Sequence, residues 1–199
     1  GPEKPRRTAS EVFGVPFDEV TSEMRSAAKA VNFGIVYGIS DFGLARQLGI
    51  SRKEAARYIE LYFMRYPGVH TYLKGCVERA KQQGAATTLF GRRREMPELK
   101  SSNYNTRSFG ERVAMNMPIQ GTAADIIKLA IVRVHNELKA RGMKSELILQ
   151  IHDELIIDAV QEEADAAAKI LKSCMENVVN LKVPLLAEVH TGHSWFDTK

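Results

Sequence analysis

The chain has 199 residues, of which 44% are hydrophobic and 26% charged, a composition typical of a globular domain. No apolar run approaches the length of a membrane span and no signal peptide is visible, so we predict no membrane partner. The net charge of +4 is a weak indication of a polyanionic partner, and the two distant cysteines, Cys76 and Cys174, predict reduced, buried thiols of an intracellular protein.

The first seven residues show no hydrophobic pattern, and Gly1-Pro2 is typical of a protease scar. We therefore expect residues 1–7 to be a tag or linker remnant outside the fold. The periodicity then predicts helices at 8–13, 21–38, 41–48 and 51–66, a break at Pro67-Gly68, a further helix from there to about 83, and helices at 107–141 and 162–179. Strands are predicted at 87–89, 92–96, 147–151, 155–157 and 185–189.

Individual residues mark several of these boundaries. Thr21 or Ser22 is a plausible N-cap, Ser51-Arg-Lys-Glu54 forms a capping box, and Gly142 suits a C-cap. Pro118 predicts a kink or break in the longest helix. The fold class is therefore α+β, mostly helical, with a small antiparallel sheet near the C-terminus.

The most informative segment runs from Arg25 to Gly38. Arg25, Lys29, Phe33 and Tyr37 follow one another at four-residue spacing, which places them on one helix face over roughly 18 Å. Met24, Ala28, Val31 and Ile35 fall on nearly the opposite face and are expected to face the core. Cations at one end and rings at the other suit a nucleotide, whose phosphates and base lie at opposite ends.

Two glycines in this helix, Gly34 and Gly38, favour the same interpretation, because glycine lowers helix stability and often marks the close approach of another group to the backbone. The alternative is a helix that is packed on both faces, with no ligand.

A second candidate is the turn His152-Asp153-Glu154 between two apolar strands. Its adjacent carboxylates repel each other unless a cation compensates, and oxygen ligands suit magnesium. The alternative is an ordinary solvent-exposed turn.

Two further polar sets are candidates for nucleic-acid contact. Arg92, Arg93 and Arg94 lie on the first predicted hairpin, where strand alternation presents cations on at least one face to phosphates. Arg112, Asn116 and Gln120 recur at four-residue spacing, and their side chains can read base edges and sugars. A charge-protected edge strand and a solvated helix face are the respective alternatives.

Taken together, three segments resemble family A DNA polymerases, the bacterial DNA polymerase I type. Arg25-xxx-Lys29-xx-Asn32-Phe33-Gly34-xx-Tyr37-Gly38 resembles motif B, and Gln150-Ile-His152-Asp153-Glu154 resembles motif C. The segment from Met117 to Lys128, with Pro118, Gln120, Gly121 and Asp125, is similar to the palm helix signature. The similarity is collinear from about Thr8 to Trp195.

The resemblance implies specific roles for the motif B residues. Arg25 and Lys29 would hold the triphosphate of an incoming dNTP, and Lys29 would also protonate the leaving pyrophosphate. Phe33 would pack against the incoming sugar and imply rejection of dideoxynucleotides. Tyr37 would stack near the template base.

It likewise implies that Asp153 and Glu154 are catalytic and metal-binding, with two Mg²⁺ ions in the complete enzyme. His152 would lie near the primer terminus. The other DNA contacts would come from Arg112, Asn116 and Gln120, with the arginines of the hairpin as further candidates. The partners would be primer–template DNA and dNTP, in the cytoplasm and nucleoid of a bacterium or a phage-infected cell.

Motif A, which supplies the other metal-binding aspartate, would lie just upstream of Thr8, and no Asp occurs before Asp18. We therefore expect a fingers region at 8–85, the remaining fingers helices and C-terminal palm at 86–199, and a missing upstream palm and thumb. The chain alone is expected not to extend primers. The alternatives are a non-catalytic nucleotide- or DNA-binding fragment and a structural scaffold.

Overall fold

A computed structural model describes residues 3–198. Helices dominate the described part, confirming the α+β class with small antiparallel sheets. The seven α-helices are α1 (Glu3–Phe13), α2 (Ser22–Val36), α3 (Asp41–Leu48), α4 (Arg52–Arg65), α5 (Pro67–Gln83), α6 (Tyr104–Ala140) and α7 (Ala164–Glu176). The four strands are β1 (Ala85–Thr87), β2 (Arg93–Glu95), β3 (Glu146–Ile151) and β4 (Glu154–Asp158). None of the helices within residues 3–198 is both long and apolar enough to cross a membrane.

The predicted helix caps are present. In the N-terminal caps, side chains bond to backbone amides that have no partner within the helix. Thr21 accepts a hydrogen bond from the backbone amide of Met24, and Ser51 and Glu54 form the predicted capping box. Gly142, after α6, has a φ of 65°, the left-handed conformation that glycine adopts readily at a helix end.

The N-terminal prediction was incomplete, because α1 begins at Glu3 rather than Thr8. Arg6 belongs to this helix, donates a hydrogen bond to the carbonyl of Phe17 at 3.1 Å and lies over its ring. The early residues thus take part in local packing through an arginine, which a search for apolar periodicity does not detect.

The described part of the chain falls into two compact units, which meet between Gly121 and Thr122 within α6. In the first unit, one apolar cluster joins α2, α3, α4 and α5 around Val31, Leu44 and Leu73. A second cluster packs the β1–β2 hairpin and α5 against the first half of α6, around Ala86, Met96 and Ala114.

In the second unit, the core packs the last part of α6 and α7 against one face of the β3–β4 hairpin, around Val134, Leu155 and Ile170. The β3–β4 register is interrupted by a bulge between Leu147 and Leu149. The strand predicted at 185–189 was wrong: these residues have no regular structure and pair with no described strand.

The longest helix, α6, continues through Pro118 without a break. Proline removes one backbone donor and disfavours a helix interior by about 3 kcal/mol, but tertiary contacts can override this preference. Ala114 and Met117, just before the proline, belong to an apolar cluster that holds this part of the helix.

Candidate functional site

The predicted stripe is present on the solvent face of α2. Arg25, Lys29 and Phe33 are exposed, and Tyr37 follows as the C-cap residue. Phe33 is 58% exposed and Tyr37 is 50% exposed, although rings of this size are usually covered. Within residues 3–198 neither cation has an ion-pair partner, so these four side chains are open to a ligand.

The opposite face of α2 fixes its position. Ala28, Val31 and Ile35 are buried there, as predicted from the spacing. Asn32 adds a polar tether, because its side-chain amide donates a hydrogen bond to the hydroxyl of Thr8 on α1 at 3.1 Å. The stripe is therefore carried by a helix that is held by packing and by a side-chain bond.

A cavity of about 400 Å³ lies beside the aromatic end of the stripe. Phe33, Tyr37 and Arg112 all line it, so residues separated by 75 positions in sequence meet at one place. Ser40 and Gln47 add a hydroxyl and an amide to its wall. Rings together with hydrogen-bonding groups suit a flat polar ligand such as a nucleobase.

Sequence reasoning missed the two polar members of this wall that come from α3 and its N-cap, Gln47 and Ser40. Ser40 carries the signal of a helix N-cap, and its hydroxyl does accept a hydrogen bond from the amide of Gly43. Gln47 carries no signal beyond its polarity. Only the packing of α3 against α2 brings them to the cavity.

The glycines have a different explanation from the one predicted. A Cβ at Gly34 would lie 2.6 Å from Cγ2 of Ile39, and a Cβ at Gly38 would lie 2.8 Å from Cε of Met115. The groups that approach the backbone are therefore side chains of this chain. The lack of a side chain at Gly34 and Gly38 is no evidence for a ligand.

The set Arg112, Asn116 and Gln120 lies on α6, but its members differ in exposure. Arg112 and Gln120 are exposed, whereas Asn116 is half-buried, with a buried side-chain oxygen that accepts no hydrogen bond. The guanidinium of Arg112 donates to the hydroxyl of Ser108 at 3.0 Å, which directs it along the helix surface.

The arginine-rich hairpin presents less free charge than its sequence indicates. Arg92, Arg93 and Arg94 are all exposed. Arg93 pairs with Glu95 at 2.7 Å, which raises the pKa of this arginine through a hydrogen bond, and Arg94 pairs with Glu98 at 3.5 Å. Both carboxylates would compete with phosphates for these cations.

In the second unit, His152 and Asp153 form the two-residue turn between β3 and β4, and Glu154 opens β4 opposite Ile151. His152 has a φ of 53°, a left-handed conformation that costs about 1 kcal/mol for a residue with a Cβ. Gln150 donates its side-chain amide to the carbonyl of His152 at 2.8 Å, which stabilises the turn. Strained residues of this kind are common at functional sites.

The tip of this turn fits part of a metal shell. Asp153 and Glu154 are exposed, and neither has an ion-pair partner within the described range 3–198. Over the same range, no group of three or more His, Cys, Asp or Glu side chains is placed to hold a metal. Two carboxylates suit Mg²⁺ in ligand type but supply fewer oxygens than its octahedral shell needs.

Taken as a whole, the chain matches a known protein family. The family model of DNA polymerase family A matches residues 6–197. The chain belongs to DNA polymerase family A. It is 57% identical over 193 residues to DNA polymerase I of Caldicellulosiruptor bescii, and 53% identical over the same length to DNA polymerase I of Bacillus caldotenax.

Among solved structures, this family A chain is similar to the POL domain of Pol1 from M. smegmatis in complex with DNA primer-template and dNTP. The TM-score is 0.92 at 44% identity, over 97% of this chain and 34% of that one. The alignments with the two DNA polymerase I enzymes cover 97% of this chain, but only 23% of the first enzyme and 22% of the second. It therefore corresponds to less than a quarter of those relatives.

Proposed function

We propose that this chain is the fingers and C-terminal palm part of a DNA polymerase that adds nucleotides from dNTP to a primer 3′-hydroxyl. The observation that carries the proposal is the α2 stripe, on which two cations and two rings are exposed on one face and unused by the fold. Family membership and the likeness to a polymerase solved with DNA and dNTP support it.

In this proposal the dNTP lies along α2. The triphosphate pairs with Arg25 and Lys29, in the N-terminal half of the helix. Phe33 covers the sugar, and Tyr37 stacks near the template base at the mouth of the cavity. The ammonium group of Lys29 would give a proton to the leaving pyrophosphate.

Asp153 and Glu154 would hold magnesium together with ligands from the rest of the parent enzyme. When bound, two such ions lower the pKa of the primer hydroxyl and stabilise charge on the attacking and leaving oxygens. The strained turn holds both carboxylates at the hairpin tip, with His152 beside the primer terminus. Arg112, Asn116 and Gln120, together with Arg92, Arg93 and Arg94, would contact primer–template DNA.

The family A parent would supply the remaining palm and the thumb, and DNA would place the enzyme with the bacterial nucleoid. We infer that the 199-residue chain alone binds nucleotide or DNA without extending primers. Its two adjacent carboxylates hold magnesium weakly, because this ion needs near-octahedral coordination.

Primer extension tests this proposal. The purified chain would be incubated with a fluorescent primer–template, Mg²⁺ and dNTPs, with and without a polypeptide that carries the preceding palm and thumb of a bacterial DNA polymerase I. Extension is expected only with that polypeptide, and Asp153→Ala should abolish it. Extension that is unaffected by Asp153→Ala would refute the catalytic assignment, and extension by the chain alone would refute the inferred inactivity.

A further inference from the structure

The C-terminal turn of α2 is shaped by Gly38. The amide of Gly38 donates to the carbonyl of Ile35 at 3.0 Å, and the amide of Ile39 donates to the carbonyl of Gly34 at 2.8 Å. This pair of bonds is a Schellman motif, in which the residue at position 38 must adopt a left-handed conformation. Gly38 does so, with a φ of 68°.

The space beside Gly38 is occupied by two side chains of α6. A Cβ at this position would lie 2.8 Å from Cε of Met115 and 2.9 Å from Cγ of Arg112. Both distances are shorter than carbon atoms tolerate, so the two side chains use the volume that any other residue would fill. The end of α2 therefore rests directly on Met115 and the stem of Arg112.

The same contact determines where the charge of Arg112 lies. Its aliphatic stem is confined at Gly38, and its guanidinium donates to Ser108 at 3.0 Å. Because its stem and its guanidinium are both held, Arg112 stays at the wall of the cavity, which Phe33 and Tyr37 also line. Because Tyr37 immediately precedes Gly38, one contact locates both the ring and the cation.

We propose that Gly38 and Met115 are positioning residues that set the location of Arg112 relative to Tyr37 and thereby the affinity for primer–template DNA. This inference rests on the proposed function for its ligand. It adds two residues whose effect on binding is exerted through Arg112.

Gly49 provides a matched control. It ends α3 with the same φ of 68°, but a Cβ built there meets no atom within 4 Å. Gly49→Ala therefore introduces left-handed strain without crowding, whereas Gly38→Ala introduces both. The difference in DNA affinity between the two variants therefore reports the effect of the contact with Met115 and Arg112.

The test compares the wild-type chain with Gly38→Ala, Gly49→Ala, Met115→Ala and Gly38→Ala/Met115→Ala. Binding is measured by anisotropy of a fluorescent primer–template duplex with a template overhang. The Nε resonance of Arg112 in NMR spectra reports its position without any ligand. Circular dichroism checks that each variant is folded.

We expect Gly38→Ala to weaken DNA binding about tenfold, as for loss of one charged hydrogen bond, and to shift the Arg112 resonance. Gly49→Ala should change neither. Met115→Ala in the Gly38→Ala background should restore only part of the affinity, because it removes the contact with Cε of Met115 but leaves the added methyl group 2.9 Å from Cγ of Arg112. If Gly38→Ala does not fold, a shifted Arg112 resonance in Met115→Ala alone would support the inference.

Two outcomes would overturn the inference: equal effects of Gly38→Ala and Gly49→Ala on binding, or an Arg112 resonance that is unchanged in every folded variant. Failure of the wild-type chain to bind DNA would instead contradict the proposed function. In that case the Arg112 resonance still decides whether Gly38 and Met115 position this side chain.

Discussion

The substitution Phe33→Ala tests whether the ring of Phe33 binds a ligand or packs in the core. Phe33 projects from the solvent face of α2 and is 58% exposed, so its removal leaves no cavity in the apolar cluster behind the helix. We expect the free energy of unfolding to change by no more than about 0.5 kcal/mol, as for other exposed substitutions. The effect should appear in nucleotide binding.

The size of that effect follows from the exposed area. An aromatic side chain offers about 200 Å², so roughly 115 Å² of Phe33 remains open, and a sugar that covers one face would bury about half of it. At about 25 cal/mol per Å² this burial contributes about 1.5 kcal/mol, or roughly tenfold in Kd.

The assay is a titration of a fluorescent dNTP against the chain with primer–template DNA present, alongside urea unfolding followed by circular dichroism. Met64→Ala is the control, because Met64 is 72% exposed on α4 and lies outside the stripe. An unchanged Kd for Phe33→Ala would refute the assignment of this ring to the nucleotide. A loss of stability like that of a core substitution would show that it packs within the fold.

Three further predictions concern stability. Leu44 is fully buried in the first unit, so Leu44→Ala should lower the free energy of unfolding by about 3 kcal/mol, measured by urea denaturation. The hydroxyl of Tyr66 donates to Glu11 at 2.5 Å and is the main cause of the lowered pKa of Glu11, with Arg7 and Arg65 adding to it. The stabilisation by this bond is therefore complete above the usual carboxyl pKa of 4.5 and is lost as the pH falls through the lowered pKa. The difference in unfolding free energy between wild type and Tyr66→Phe should shrink as the pH falls through this range. A difference that does not depend on pH would contradict this linkage. His152→Gly should raise the stability of the second unit by about 0.5–1 kcal/mol, because glycine adopts the left-handed conformation without strain, and a decrease in thermal unfolding temperature would contradict this.

Local sequence signals predicted the helices that carry the candidate site. The capping box at Ser51, the N-cap at Thr21 and the glycine after α6 each satisfy backbone groups within a few residues, so their effect is readable from the chain. The four-residue spacing of the stripe likewise depends only on helix geometry.

Features that depend on distant packing were not predictable in this way. The segment 185–189 has an apolar composition suited to a strand, but a strand also needs a partner, and the described residues provide none. Gly34 and Gly38 carry a real signal of close approach, yet only the structure identifies Ile39, Met115 and Arg112 as the approaching groups. The acidic partners of Arg93 and Arg94 are visible in sequence only as neighbouring charges.

Amide hydrogen exchange measures whether the exposed face of α2 binds the incoming nucleotide. The exchange of residues 22–38 would be compared for the chain with primer–template DNA, before and after addition of a complementary dNTP and Mg²⁺. We expect slower exchange across α2, with the largest change between Lys29 and Tyr37 and no change in α4. Unaltered exchange in α2 at saturating dNTP would contradict this expectation.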